Sequence, residues 1–180
     1  MGLRGTRILL VLGIDPGKKG GWVIAGDRFE SGRMPLVEET REVDACFFSN
    51  LICENTFDLI VIEKIWAAAG WDHLKGEQRQ MGPSSAFKMG DDFGQLKGVC
   101  RAFHQALALV APQTWKNNVL GRRGATKQDA IDFVVKHMPW VDLMPGACRT
   151  PQDGIADAAC LAQWGLWKLE REAPASVVSF

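Results

Sequence analysis

Four acidic residues in this 180-residue chain stand where acids can do chemistry. Asp15 ends ILLVLGI (8–14), seven apolar or glycine residues, and Pro16-Gly17 follows it at once. Glu63 closes a second apolar, β-branched run, DLIVIEK at 58–64. Asp153 and Asp157 open PQDGIADAACLAQW four residues apart, so they share one helical face with Leu161 and Trp164. An acid at the end of a core strand lies close to low dielectric and needs a hydrogen bond, a cation or a metal. A turn cap is the plainer reading of Asp15, and helix-dipole complementarity covers Asp153 better than Asp157. Carboxylates that converge repel one another unless hard cations sit between them, and oxygen-only donors suit Mg2+ or Mn2+. Two such ions roughly 3.5–4 Å apart would activate water and stabilise the leaving oxygen in phosphodiester hydrolysis.

The elements that must position these acids follow from periodicity and turn chemistry. Strands are expected over about 7–15 and 22–25, with a third over 27–34 in which Ser31-Gly32 is turn material. Helical spacing of Val43, Phe47 and Leu51 predicts a helix over about 38–53, and 58–64 reads as a buried strand parallel to the first. Residues 65–83 read as an irregular segment with Gly70, Gly76 and Gly82. Ser84 is the expected N-cap of a long helix over 85–104, whose Gly90, Gly94 and Gly98 form a narrow face open to another backbone. A short strand over 106–111, a helix over 113–120, a GRRG loop and a helix capped by Thr126 follow. The last helix begins near Pro151 and runs to about Glu172, with a frayed tail over 173–180. Strands alternating with helices predict one α/β domain, residues 1–180, with helices on both faces of its sheet. If the first and fourth strands are parallel neighbours, Asp15 and Glu63 emerge together at its carboxyl edge.

Composition sets the class. Apolar residues make up 47% and charged residues 23%, the balance of a globular protein. Net charge is zero but unevenly spread: residues 15–63 carry −5 and residues 64–127 carry +6. A basic middle in a neutral chain suits local binding of a polyanion. Lys116, Arg122, Arg123 and Lys127 gather around a glycine loop and a helix start, a good arrangement for gripping phosphates. Lys75 and Arg79 are weaker contacts of the same kind. Trp66 begins the irregular segment beside Glu63 and is the expected base-stacking wedge, whereas Trp22, Trp164 and Trp167 read as core. Five cysteines without CxxC spacing argue against zinc and a disulfide framework, and for a reducing, cytoplasmic setting. The opening apolar run is too short for a membrane span.

GIDPG followed by Gly21-Trp22, IEK ending the fourth strand, and DGIADAACLA on the last helix resemble the RuvC family of Holliday junction resolvases, members of the RNase H-like superfamily. SAFKMG (85–90) is similar to the start of that family's dimer helix. APQTWKNNVLGRRGATKQDAI resembles the segment with its two basic residues, here Lys116 and Lys127. The likeness spans roughly residues 8–167 and looks most like phage-type members. It implies a mixed five-stranded sheet and a Mg2+-dependent endonuclease for four-way DNA, with Mn2+ able to substitute. It also implies a homodimer that makes paired symmetric nicks, needing neither a membrane nor a small-molecule cofactor. By the same resemblance Asp15 would bridge two ions, Glu63 would hold one, and Asp157, assisted by Asp153, the other. Lys127 would neutralise charge on the scissile phosphate, and Trp66 would stack at the crossover. There is one departure: bacterial members space their last-helix ligands three apart, and here Gly154 holds that position. Rival readings are a broader flap or branched-DNA nuclease, an RNA-processing nuclease, a kinase-type phosphate loop, and a non-catalytic junction-binding protein.

Overall fold

A computed structural model describes residues 8–65, 70–72, 77–79 and 82–172, with only the backbone described for 70–72 and 77–79. Strands β1 (Leu10–Asp15), β2 (Gly21–Gly26) and β3 (Glu30–Arg33) form an antiparallel meander. Helix α1 (Ala45–Glu54) leads to β4 (Leu59–Glu63), and β5 (Gly70–Asp72) pairs with β6 (Glu77–Arg79) as a separate two-stranded ladder. Helix α2 (Pro83–Ala102), β7 (Leu107–Val110), α3 (Pro112–Leu120), α4 (Lys127–His137) and α5 (Asp153–Glu172) complete the chain. The main sheet has the order β3-β2-β1-β4-β7, with β4 parallel to both β1 and β7. This is the expected mixed five-stranded sheet.

The two-residue period of a strand sorts its side chains onto opposite faces. Leu12, Ile14, Ile24, Ile60 and Ile62 pack with Phe48, Leu51, Phe93 and Leu96 of α1 and α2. Val11, Val23, Leu59 and Val61 pack on the other face with α3, α4 and α5. Helix α5 is central to that second face. Its small side chains, including Ala156, Ala158, Ala159 and Ala162, are fully buried. Gly13 lets it lie directly on β1, since a Cβ there would meet the Ala158 carbonyl at 2.2 Å.

Several boundaries differ from the expected ones. The first helix starts at Ala45, capped by Asp44, whose carboxylate accepts the Phe47 N–H at 3.0 Å. Residues 38–42 are instead part of a turn closed by a Leu36–Val43 bridge, so Val43 is buried without being helical. Helix α2 begins at Pro83 with Gly82 as N-cap and no side-chain cap, displacing Ser84 from that role. Proline at the first helical position is already set to helical φ. Ser31-Gly32 lies within β3, where Gly32 leaves room for the Trp22 indole of β2. The stretch expected to be irregular contains the β5–β6 ladder, and the last helix starts at Asp153. No helix among the described residues is long and apolar enough to cross a membrane, and all five cysteines are free thiols.

Candidate active site

Strand parity brings the acids together. Asp15 follows Val11 and Gly13 at intervals of two, and Glu63 follows Leu59 and Val61, so both carboxylates belong to the face covered by α5. The parallel register matches Ile14 with Ile62, which sets Asp15 and Glu63 side by side one residue further on. Asp153 and Asp157 occupy the start of α5, held over the same sheet edge by a Gly20–Gly154 bridge. Here Gly154 has a structural reason: a Cβ would lie 2.3 Å from the Lys19 carbonyl and 2.4 Å from Gly20 Cα. The position that departs from the three-residue spacing faces backbone and has no room for a ligand.

Burial and mutual repulsion govern these carboxyls. Desolvation raises Asp15 above the usual range, opposed by a 3.3 Å hydrogen bond from the Gly17 N–H and added to by the charge of Asp153. Desolvation likewise raises Glu63, opposed by the Trp115 indole N–H, which donates to Oε2 at 2.7 Å. Asp157 is pushed up to about 7, first by burial and then by the charge of Asp15, with Glu63 and Asp153 adding. Its Oδ1 is buried and has no hydrogen-bond partner. Asp153 differs: the Lys127 ammonium bonds its carboxylate and lowers it, while Lys127 itself is raised by that bond.

The basic residues divide. The charge of Lys116 on α3 acts on Asp15, Glu63 and Asp157 alike, so it belongs to the acidic site as much as to any phosphate track. Lys127 opens α4 behind a Thr126–Asp129 capping box, which aims that helix start at Asp153. Arg122 of the loop is ion-paired with Asp129 in the first turn of α4, and Arg123 is exposed beside it. Trp66 and Lys75 lie outside the described residues, as does the side chain of Arg79. Trp115, fully buried on α3, was not expected at the site. Its i, i+4 spacing with Val119 reads as core, and its partner Glu63 is 52 residues away.

The donors fit a hard cation in chemistry: Asp15, Glu63, Asp153 and Asp157 offer only oxygens, and one buried oxygen of Asp157 is unsatisfied. They are not a preformed cage. Among the described residues, no three acidic, histidine or cysteine side chains are gathered closely enough to hold a metal ion as they stand. Lys127 engages Asp153 in this arrangement.

No protein-family model matches the chain, and no curated protein does. Solved structures do. The chain is similar to Thermus thermophilus RuvC in complex with a Holliday junction substrate, at TM-score 0.60 and 13% identity over 91% of this chain and 96% of that one. A second Thermus thermophilus RuvC structure matches at TM-score 0.60 and 14% identity, over 92% of this chain and 98% of that one. A Fowlpox virus resolvase, solved with Holliday junction DNA, matches at TM-score 0.51 and 14% identity, over 88% and 99%. The chain has the RNase H-like fold of the RuvC resolvases.

Proposed function

We propose that this chain is a divalent-metal-dependent endonuclease that resolves four-way DNA junctions. One observation carries the reading: two adjacent parallel strands deliver Asp15 and Glu63 to the edge where Asp157 keeps a buried, unpartnered oxygen. Three desolvated carboxylates, with the charge of Asp15 raising the proton affinity of the other two, are costly without a cation. Mg2+, or Mn2+ in its place, would be held by Asp15, Glu63 and Asp157, with Asp153 assisting. When bound, a pair of such ions supplies an activated water and stabilises the leaving oxygen.

The protein's own groups bind and orient. Lys116 and Lys127 bring positive charge to the acidic edge, where a scissile phosphate would otherwise be repelled. Arg123 on the 121–124 loop extends the phosphate grip, and Arg122 joins it on leaving Asp129. Trp66 is the proposed wedge at the crossover, with Lys75 and Arg79 as flanking contacts. Paired nicks in opposed strands call for a homodimer with two such sites. The exposed Gly90, Gly94 and Gly98 of α2, where nothing lies within 4 Å of an added Cβ, are the face proposed to meet the second copy.

The test is a synthetic immobile four-way junction incubated with the protein with and without Mg2+, with nicks mapped on all four strands. Symmetric paired nicks only with Mg2+ are expected. Asp15→Asn should bind the junction as tightly as wild type and not cut it, and Mg2+-dependent nicking by that variant would show the site to be misplaced. Equal or better cutting of flaps or RNA–DNA hybrids in the same panel would reassign the substrate.

A further inference from the structure

We infer that Trp115 is a positioning residue for the acidic site, an inference that rests on the nuclease reading: its indole N–H fixes one oxygen of Glu63 and so turns the other toward the cation. The geometry begins in the helix. Pro112 starts α3, and Trp115 lies one turn in, its ring wholly buried in the cluster that includes Val110, Val119, Ala130 and Leu161. The Lys116 ammonium stands 5.3 Å from the ring centroid. A large ring packed at interior density has no free rotamer, so its N–H points in one direction. That direction is Glu63 Oε2, at 2.7 Å.

The chemistry of the donor matters. An indole N–H donates and never accepts, carries no charge and does not deprotonate near neutrality. It can hold a carboxylate oxygen without competing for the cation and without joining the proton transfers at the site. A lysine in its place would contend with the metal, and an amide or hydroxyl could turn an oxygen toward it. Partners of this kind, bonded to a ligating carboxylate, typically change metal affinity or activity by about 10–100-fold when removed. The residue therefore ties a strand-end acid, through the core, to α3, the helix that also carries Lys116.

The experiment uses 15N-labelled full-length protein, Mg2+ as the probe, and three readouts: indole N–H resonances, Mg2+ affinity by calorimetry, and junction cleavage. In the wild type one indole resonance should shift with Mg2+ along the calorimetric binding curve. Glu63→Gln should move that resonance and abolish its Mg2+ response, which needs no substitution at Trp115. Trp115→Phe, which keeps an aromatic ring and removes the donor, should delete it. That variant should weaken Mg2+ binding by about 10–100-fold and lower kcat by a similar factor. Metal-free junction affinity and KM for the junction should stay at wild-type values, and Trp115→Phe should add no further loss in the Glu63→Gln background. Wild-type protein that binds Mg2+ and cuts junctions while no indole resonance responds, or while Trp115→Phe matches it in Mg2+ affinity and kcat, would overturn the positioning role and leave the nuclease reading standing. Wild-type protein that neither binds Mg2+ nor cuts would overturn both.

Discussion

Replacing Asp157 with Asn should make the metal-free protein more stable at alkaline pH. The Asp157 carboxyl is raised from 3.8 to about 7, chiefly by burial and next by the charge of Asp15. Each tenfold gain in proton affinity is about 1.4 kcal/mol of preference for the protonated form. The ionised side chain therefore costs the fold roughly 2–4 kcal/mol once partial solvent screening is allowed for. The folded protein keeps this proton at pH values where the unfolded chain has already lost it. Stability from this group is thus highest below about pH 4, falls as pH rises toward 7, and is level above. Asn keeps the shape, has no charge to desolvate, and brings N–H donors beside the charges of Asp15 and Glu63. At about 2–4 °C per kcal/mol for a chain of this size, Asp157→Asn should melt roughly 5–15 °C above wild type at pH 8, and the gap should close toward pH 4.5. Thermal unfolding by circular dichroism in EDTA across that range measures it. Saturating Mg2+ should raise the wild-type Tm at pH 8 and leave the variant nearly unmoved. A variant melting at or below wild type at pH 8, or a gap independent of pH, would refute the account of a carboxylate held in deficit for a cation.

Other outcomes follow from individual contacts. Gly154→Ala places a methyl group against the Lys19–Gly20 backbone and should cost about 2–4 kcal/mol in urea unfolding. Gly154→Asp should be at least as damaging and should supply no new ligand. Asp92→Ala removes the buried acceptor of the Val43 N–H, bonded at 3.0 Å, and should cost about 1–3 kcal/mol by the same assay. Because Arg122 is already paired with Asp129, Arg123→Ala should reduce the salt dependence of junction binding by about one counterion, and Arg122→Ala by less, in titrations at graded salt.

The site was legible where local pattern and global placement coincide. Asp15 and Glu63 end continuous apolar runs, so the two strands and the acids at their tips can be read from the sequence, while the face each acid takes is set by the packing of α5. Asp153 and Asp157 declare themselves by heading an alanine-rich apolar face. What escaped depends on contacts between distant segments. Trp115 looks like any helix-core aromatic until β4 is set beside β7 and α3 folds over Glu63. Asp92 sits next to an exposed Asp91 and reads as surface, yet it is buried to receive Val43 from 49 residues away. The same contact, with the Leu36–Val43 bridge, explains why the first helix begins later than its apolar spacing suggests. The reversal of Arg122 onto Asp129 likewise depends on the tight loop with left-handed Gly121 and Gly124, not on charge pattern.

The bridge between Gly20 and Gly154 joins the two halves of the acidic cluster main chain to main chain, with no room for a side chain between them. Strand tip and helix tip are thus riveted together, and neither acid pair can wander while the centre of the molecule stays shut. Heating should leave catalysis nearly intact until the whole chain lets go, so that loss of cutting and loss of structure arrive within the same few degrees.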